Sequence, residues 1–154
     1  MSAPAAAPVS VAGHPFLQGL PVDLVQAIAR LSELRTFPAG ERVVREGDPA
    51  THAFLLVDGK VGIEIAGPGR PSLIIQTLGA GELFGWSWLL APYHWRFDAR
   101  ALKPTRAWTV DGPGLRALLD SRPDFGYLFL RRMLPIVTER LEHTRLQLLD
   151  LYAP

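Results

Sequence analysis

Between Gly79 and Leu102 the chain reads GAGELFGWSWLLAPYHWRFDARAL, and the residue types in this stretch suit the holding of an anion. Gly79, Gly81 and Gly85 let backbone N–H groups come close to a ligand. The run from Trp86 to Leu90 is compatible with a short helix, whose start would add unsatisfied donors and a partial positive charge. Arg96 and Arg100 then supply forked, permanently charged donors. The expected contact set is Leu83, Phe84, Gly85, Trp86, Ser87, Trp88, Trp95, Arg96 and Phe97.

Four aromatics, Trp86, Trp88, Tyr93 and Trp95, crowd the same stretch. They form either a stacking surface for a flat ligand, with Arg96 as a cation–π partner, or a plug filling the space such a ligand would take. Asp98 has the character of an ordinary ion-pair partner for a nearby arginine. Elsewhere, His14, His52, His94 and His143 show no metal-ligand spacing, and no paired-carboxylate or nucleophile motif stands out. No enzymatic activity and no metal are therefore expected.

The surrounding segments define the scaffold. From Leu34 to Val110, short apolar pieces alternate with Gly, Pro and Asp, which predicts strands over Leu34–Phe37, Arg42–Arg45, Ala53–Val57, Val61–Ile65, Ser72–Thr77, Asp98–Leu102 and Ala107–Val110. Asp58-Gly59, between two of these, is a hairpin signal. Regular short strands with frequent turns indicate an antiparallel barrel or a double-sheet β roll of the jelly-roll type. A helix is predicted over about Pro21 to Leu31 and another over Gly112–Asp120, followed by a long helical pattern after Pro123. Pro135 interrupts that pattern and predicts a kink or a junction between two helices. Beyond it, Val137, Leu141, Thr144, Leu148 and Leu151 alternate steps of four and three, so they share one face. Such a stripe suits either a dimer seam or docking on the chain's own roll.

Composition bounds the partners. The 154 residues fit one domain, and sixteen Lys+Arg against fifteen Asp+Glu leave a net charge of +1, too little for general nucleic-acid or membrane attraction. No apolar run approaches the roughly 20 residues that span a bilayer. The absence of cysteine rules out disulfides and thiol chemistry and fits a reducing cytoplasm, the location expected. Met1 to Gly13, rich in Ala and Pro without a basic leader, is expected to be a flexible tail.

One family gathers these features. PAGERVVREGDPATHAFLLVDGKVGIEI, from Pro38 to Ile65, resembles the opening of a cyclic nucleotide-binding domain of the bacterial catabolite-activator and anaerobic-regulator type. Gly-Glu-Leu-Phe-Gly at 81–85 and Arg-Ala-Leu at 100–102 continue the likeness, which covers roughly Phe16 to Leu151. The resemblance implies a β roll with flanking helices over residues 14–126 and a C-terminal helical segment over 127–152 that pairs two copies. In that family a glutamate follows Phe-Gly and accepts from the ribose hydroxyl, but here Trp86 holds the place, and indole offers no strong acceptor. The family's phosphate-binding arginine falls on Arg96 counting forward from Gly85, or on Trp95 counting back from Arg100-Ala101-Leu102. Adjacent strand residues face opposite sides, so one step decides whether an anchor exists. The resemblance also places Thr144, in Arg140-Leu141-Glu142-His143-Thr144, where a hydroxyl caps the nucleobase.

Two functions follow. The first is a stand-alone regulatory module that binds a cyclic nucleotide or another nucleotide-like anion and signals to a partner protein through its C-terminal helix. The second is a dimeric accessory subunit with a self-filled pocket in a larger assembly, such as a nicotinamide-linked hydrogenase complex. Regulators of this resemblance carry a helix-turn-helix after the long helix; the sequence stops at Pro154, so direct DNA binding is not expected.

Overall fold

A computed structural model describes residues 10–152. Its described residues fall into two compact units, divided between Ala117 and Leu118. The expected tail lies mostly outside the described residues, while Val11–Gly13 and Pro15–Leu17 each form a 3-10 turn and Val11, Phe16 and Leu17 are buried.

The first unit is a roll of eight strands in two four-stranded antiparallel sheets, preceded by α1 (Val22–Arg30). The strands are β1 (Ser32–Phe37), β2 (Arg42–Val44), β3 (His52–Asp58), β4 (Lys60–Ile65), β5 (Leu73–Gly79), β6 (Leu83–Phe84), β7 (Asp98–Ala101) and β8 (Thr105–Asp111). One sheet has the order β1-β8-β3-β6, the other β2-β7-β4-β5. The predicted jelly-roll-type fold and its strands are all present; β6, too short for periodicity to reveal, is the addition. The central strand β3 carries an unbroken buried run, Ala53 to Leu56, as a strand covered on both faces should. On β8 inward Thr105, Ala107 and Thr109 alternate with half-exposed neighbours.

Asp58-Gly59 is not a hairpin. β3 and β4 lie in different sheets, so the pair turns a corner between them. Dipeptide chemistry sets the backbone angles of a turn without choosing which strands then pair. At this corner Gly59 has φ +96°, and an added Cβ would stand 2.6 Å from the Thr105 Cα, so no other residue fits. Asp58 is held by an ion pair to Arg106, its cross-strand partner on β8.

The 3-10 turn is pinned to β3 by His14. Its Nε2–H donates to the Leu56 carbonyl at 2.8 Å, and its Nδ1 accepts the Phe16 N–H at 3.1 Å. The same carbonyl accepts the Gly81 N–H at 2.9 Å, where the β3–β8 register slips between Leu56 and Asp58.

Helix α2 (Gly112–Ser121) begins in the first unit and ends in the second. The second unit continues with α3 (Pro123–Tyr152), one unbroken helix with Pro135 inside it, so the expected junction is absent. One missing amide removes a single backbone bond, which the turns on either side outweigh. Phe125, Phe129 and Met133 are buried, whereas every residue from Leu141 to Tyr152 is exposed. Gly126 lets α3 begin close to α2, since a Cβ there would lie 3.0 Å from the Leu119 carbonyl oxygen.

Candidate functional site

The segment after β6 opens on Gly85, whose φ of +93° turns the chain out of the strand. It does not continue as a helix. Residues 87–89 form one turn closed by Leu89 N–H donating to Trp86 O at 3.0 Å. The physical reason lies in Trp88, which is fully buried and donates its indole N–H to the Gly85 carbonyl at 2.7 Å, tying the turn back on itself. Ser87 is buried beside it and Trp86 is half-buried.

Arg116 on α2 clamps the far side. It donates to the Trp88 carbonyl and places its guanidinium 3.8 Å from the Tyr93 ring centre. Tyr93 has φ +60°, a conformation that costs a non-glycine residue on the order of 1–3 kcal/mol and persists only where neighbours impose it. Those neighbours are the Leu90 carbonyl, which accepts its N–H, and the Ala50 N–H, which donates to its carbonyl at 2.8 Å.

From Tyr93 to Trp95 the chain runs along the loop between β2 and β3. Gly47 N–H donates to Trp95 O at 2.8 Å, and Trp95 N–H donates to Asp48 O at 2.9 Å. Pro49 and His94 form an antiparallel bridge between them. This strap fixes which way residues 95 and 96 face. Trp95 is buried at 5% exposure, its ring centre 6.0 Å from Phe54, 6.4 Å from Phe84 and 5.7 Å from Phe97. Phe54 and Phe84 themselves stack at 4.4 Å with parallel planes, one on each of the paired strands β3 and β6. Trp95 lies so close to the glycine corner that a Cβ on Gly85 would stand 2.6 Å from its ring. Arg96 is exposed.

The remaining expected residues fall as follows. Phe84, Gly85, Trp95 and Phe97 gather around one aromatic cluster, Leu83 is buried on β6 opposite Leu55 of β3, and Ser87 and Trp88 lie in the adjoining turn. Arg100 donates to Gly40 O at 2.8 Å and pairs with buried Glu64 at 3.2 Å, a structural bridge between strand β7, strand β4 and the turn before β2. Asp98 accepts the Glu46 N–H at 2.7 Å and has Arg42 at 3.7 Å, rather than Arg96 or Arg100. Thr144, in the other unit, is exposed and donates its hydroxyl to Arg140 O at 3.0 Å. Arg116 and the strap at 47–50 were not foreseen, because neither carries a local motif and both act only once distant segments meet. Among the described residues no group of three or more His, Cys, Asp or Glu is placed to hold a metal.

A family model for the cyclic nucleotide-binding domain matches residues 34–122, more than half of the chain and every expected site residue except Thr144. The chain belongs to the cyclic nucleotide-binding domain family. Among curated relatives, the CRP-like cAMP-activated global transcriptional regulator of Mycobacterium tuberculosis is 26% identical over 136 residues, covering 88% of this chain and 59% of that protein. This domain thus spans somewhat over half the length of that regulator. Among solved structures, a Geobacter metallireducens GS-15 protein named for cyclic nucleotide binding is 28% identical with a TM-score of 0.74, covering 82% of this chain and 91% of that one. The Thermus thermophilus catabolite activator protein is 25% identical with a TM-score of 0.70, covering 90% and 63%. The cyclic nucleotide-binding domain is here a regulatory module by family, and no helix among the described residues is long and apolar enough to cross a membrane.

Proposed function

We propose that this cyclic nucleotide-binding domain works as a dimeric, cytoplasmic regulatory subunit that acts by contact with a partner protein, with its phosphate corner occupied by its own indole. The observation that carries this reading is the orientation of one pair of residues: Trp95 is buried among Phe54, Phe84 and Phe97, and Arg96 is exposed. A cyclic phosphate in the family's position would need a cation where Trp95 stands, and a ribose hydroxyl would need an acceptor where Trp86 stands. The alternative accessory role in a nicotinamide-linked redox assembly falls within the same reading.

The test is a thermal melt of the purified protein with cyclic AMP, cyclic GMP, NAD and NADP. A ligand at about 100 times its Kd would stabilise the folded state by about 2.7 kcal/mol. No shift is expected with either cyclic nucleotide. A rise of several degrees with cyclic AMP or cyclic GMP overturns the closed-corner reading. That result would favour the other function, a roll that senses a nucleotide-like ligand at Gly85–Ser87 and passes the signal to the C-terminal helix, for which the positive φ of Gly85 is the supporting feature.

A further inference from the structure

A cavity of about 330 Å³ opens where β1 and β3 of one sheet meet β2 of the other. Its charged lining is Arg35 on β1, Arg42 on β2, and Arg45 and Asp48 in the loop that follows. Three arginines and one aspartate thus line it, and the Arg35 guanidinium lies 5.4 Å from the Phe37 ring centre. Arg42 has only a long contact to Asp98, at 3.7 Å. Arg35 and Arg45 have no carboxylate partner among the described residues. His52 also lines the cavity, with Nδ1 2.9 Å from the Thr51 hydroxyl, and Phe54 and Trp95 form its apolar base.

Like charges gathered round one concavity repel one another unless an anion sits among them, and their forked donors match phosphate oxygens. The walls are also fixed in advance. The loop from Arg45 to Thr51 is held by the backbone bonds of Gly47, Asp48 and Ala50 to Tyr93 and Trp95, so binding need not order it. The volume is at the lower end of small-molecule sites, which span about 300–1,000 Å³.

We propose that this arginine cavity binds a small phosphate-bearing anion carrying at least two negative charges. The site shares Trp95 with the glycine corner but would take its anion on Arg35, Arg42 and Arg45 rather than on Arg96. Its ligand would bear on Trp95 directly, because the loop lining the cavity is hydrogen-bonded to the tryptophan's own backbone.

Isothermal titration of the full chain with inorganic pyrophosphate, ADP and adenosine tests this, at fixed ionic strength to hold screening constant. Binding is expected for pyrophosphate and ADP and not for adenosine. Arg35→Gln with Arg45→Gln should weaken both by about tenfold or more while leaving the melting temperature within a degree or two, since both side chains are exposed. Arg96→Gln should leave binding unchanged. Failure of pyrophosphate and ADP to bind overturns the proposal, as does equal binding in the double variant. Loss of binding in Arg96→Gln alone would move the anion site to the glycine corner and overturn it equally.

Discussion

Trp95 and Arg96 are neighbours with opposite fates, and the strap bonds at Gly47 and Asp48 set which of them turns inward. This yields a contrast measurable by chemical denaturation. Trp95→Ala should cost about 3–5 kcal/mol, the usual loss for truncating a large buried aromatic. Arg96→Ala should stay within about 0.5 kcal/mol, as for an exposed side chain away from any buried network. Equal costs, or a larger one for Arg96, would mean that the segment sits one residue out of register. At this scale the sequence was informative about types and silent about direction. The glycine corner, the indole cluster and the Trp86 substitution were all visible in the letters. Whether residue 95 or 96 pointed inward depended on a loop about forty-five residues upstream in the sequence, which no local pattern could register. Arg100 was misleading for a related reason: its partner Glu64 lies on β4, brought beside it only by the β4–β7 ladder.

Among the elements, the coupling of the N-terminal turn to β3 has a titratable group at its centre. His14 is buried and its pKa is lowered, chiefly by burial, with the bond to the Leu56 carbonyl acting the other way. Because Nδ1 accepts the Phe16 N–H, the neutral ring is the form that fits; a proton on Nδ1 would oppose a donor. The unfolded chain binds this proton more readily than the folded one. His14's contribution is therefore fully present above the ordinary value of about 6.5, and it is lost as pH falls from there through the lowered native value. The loss amounts to about 1.4 kcal/mol for each pH unit by which the native value is depressed. Urea denaturation from pH 7.5 down to 5 should show this fall in wild type and a flatter profile in His14→Leu, which begins less stable at neutral pH. Identical slopes would remove His14 from the account. Elements were the most legible level, since alternation and turn residues predicted nearly every strand. What failed was pairing: Asp58-Gly59 joins two sheets because Thr105 and Pro104 crowd the corner, a contact between residues roughly forty-five positions apart.

For the molecule as a whole, the open question is what covers the second half of α3. Leu141, Leu148 and Leu151 are 49%, 50% and 79% exposed, and with Val137 and Thr144 they complete the stripe of alternating steps. A helix with such a stripe in water gains by burying it, and the steps of four and three match a two-stranded seam between copies. The exposed Leu146 and Leu149 widen that surface beyond a narrow stripe. The Thr144 hydroxyl, bonded to Arg140 O on its own helix, can sit in such a seam without an unsatisfied donor. We therefore expect light scattering on a sizing column to give a dimer mass at tens of micromolar. Leu141→Glu with Leu148→Glu should shift it to a monomer, because each seam position would then bury a charge opposite its copy. Helical content by circular dichroism should change little, since both substituted residues are good helix formers. A wild-type monomer across that concentration range would leave the stripe for a different protein. A dimer that survives both glutamates would place the pairing surface elsewhere, with the apolar edge strand β5, where Leu73 and Ile74 are 66% and 46% exposed, the next to substitute.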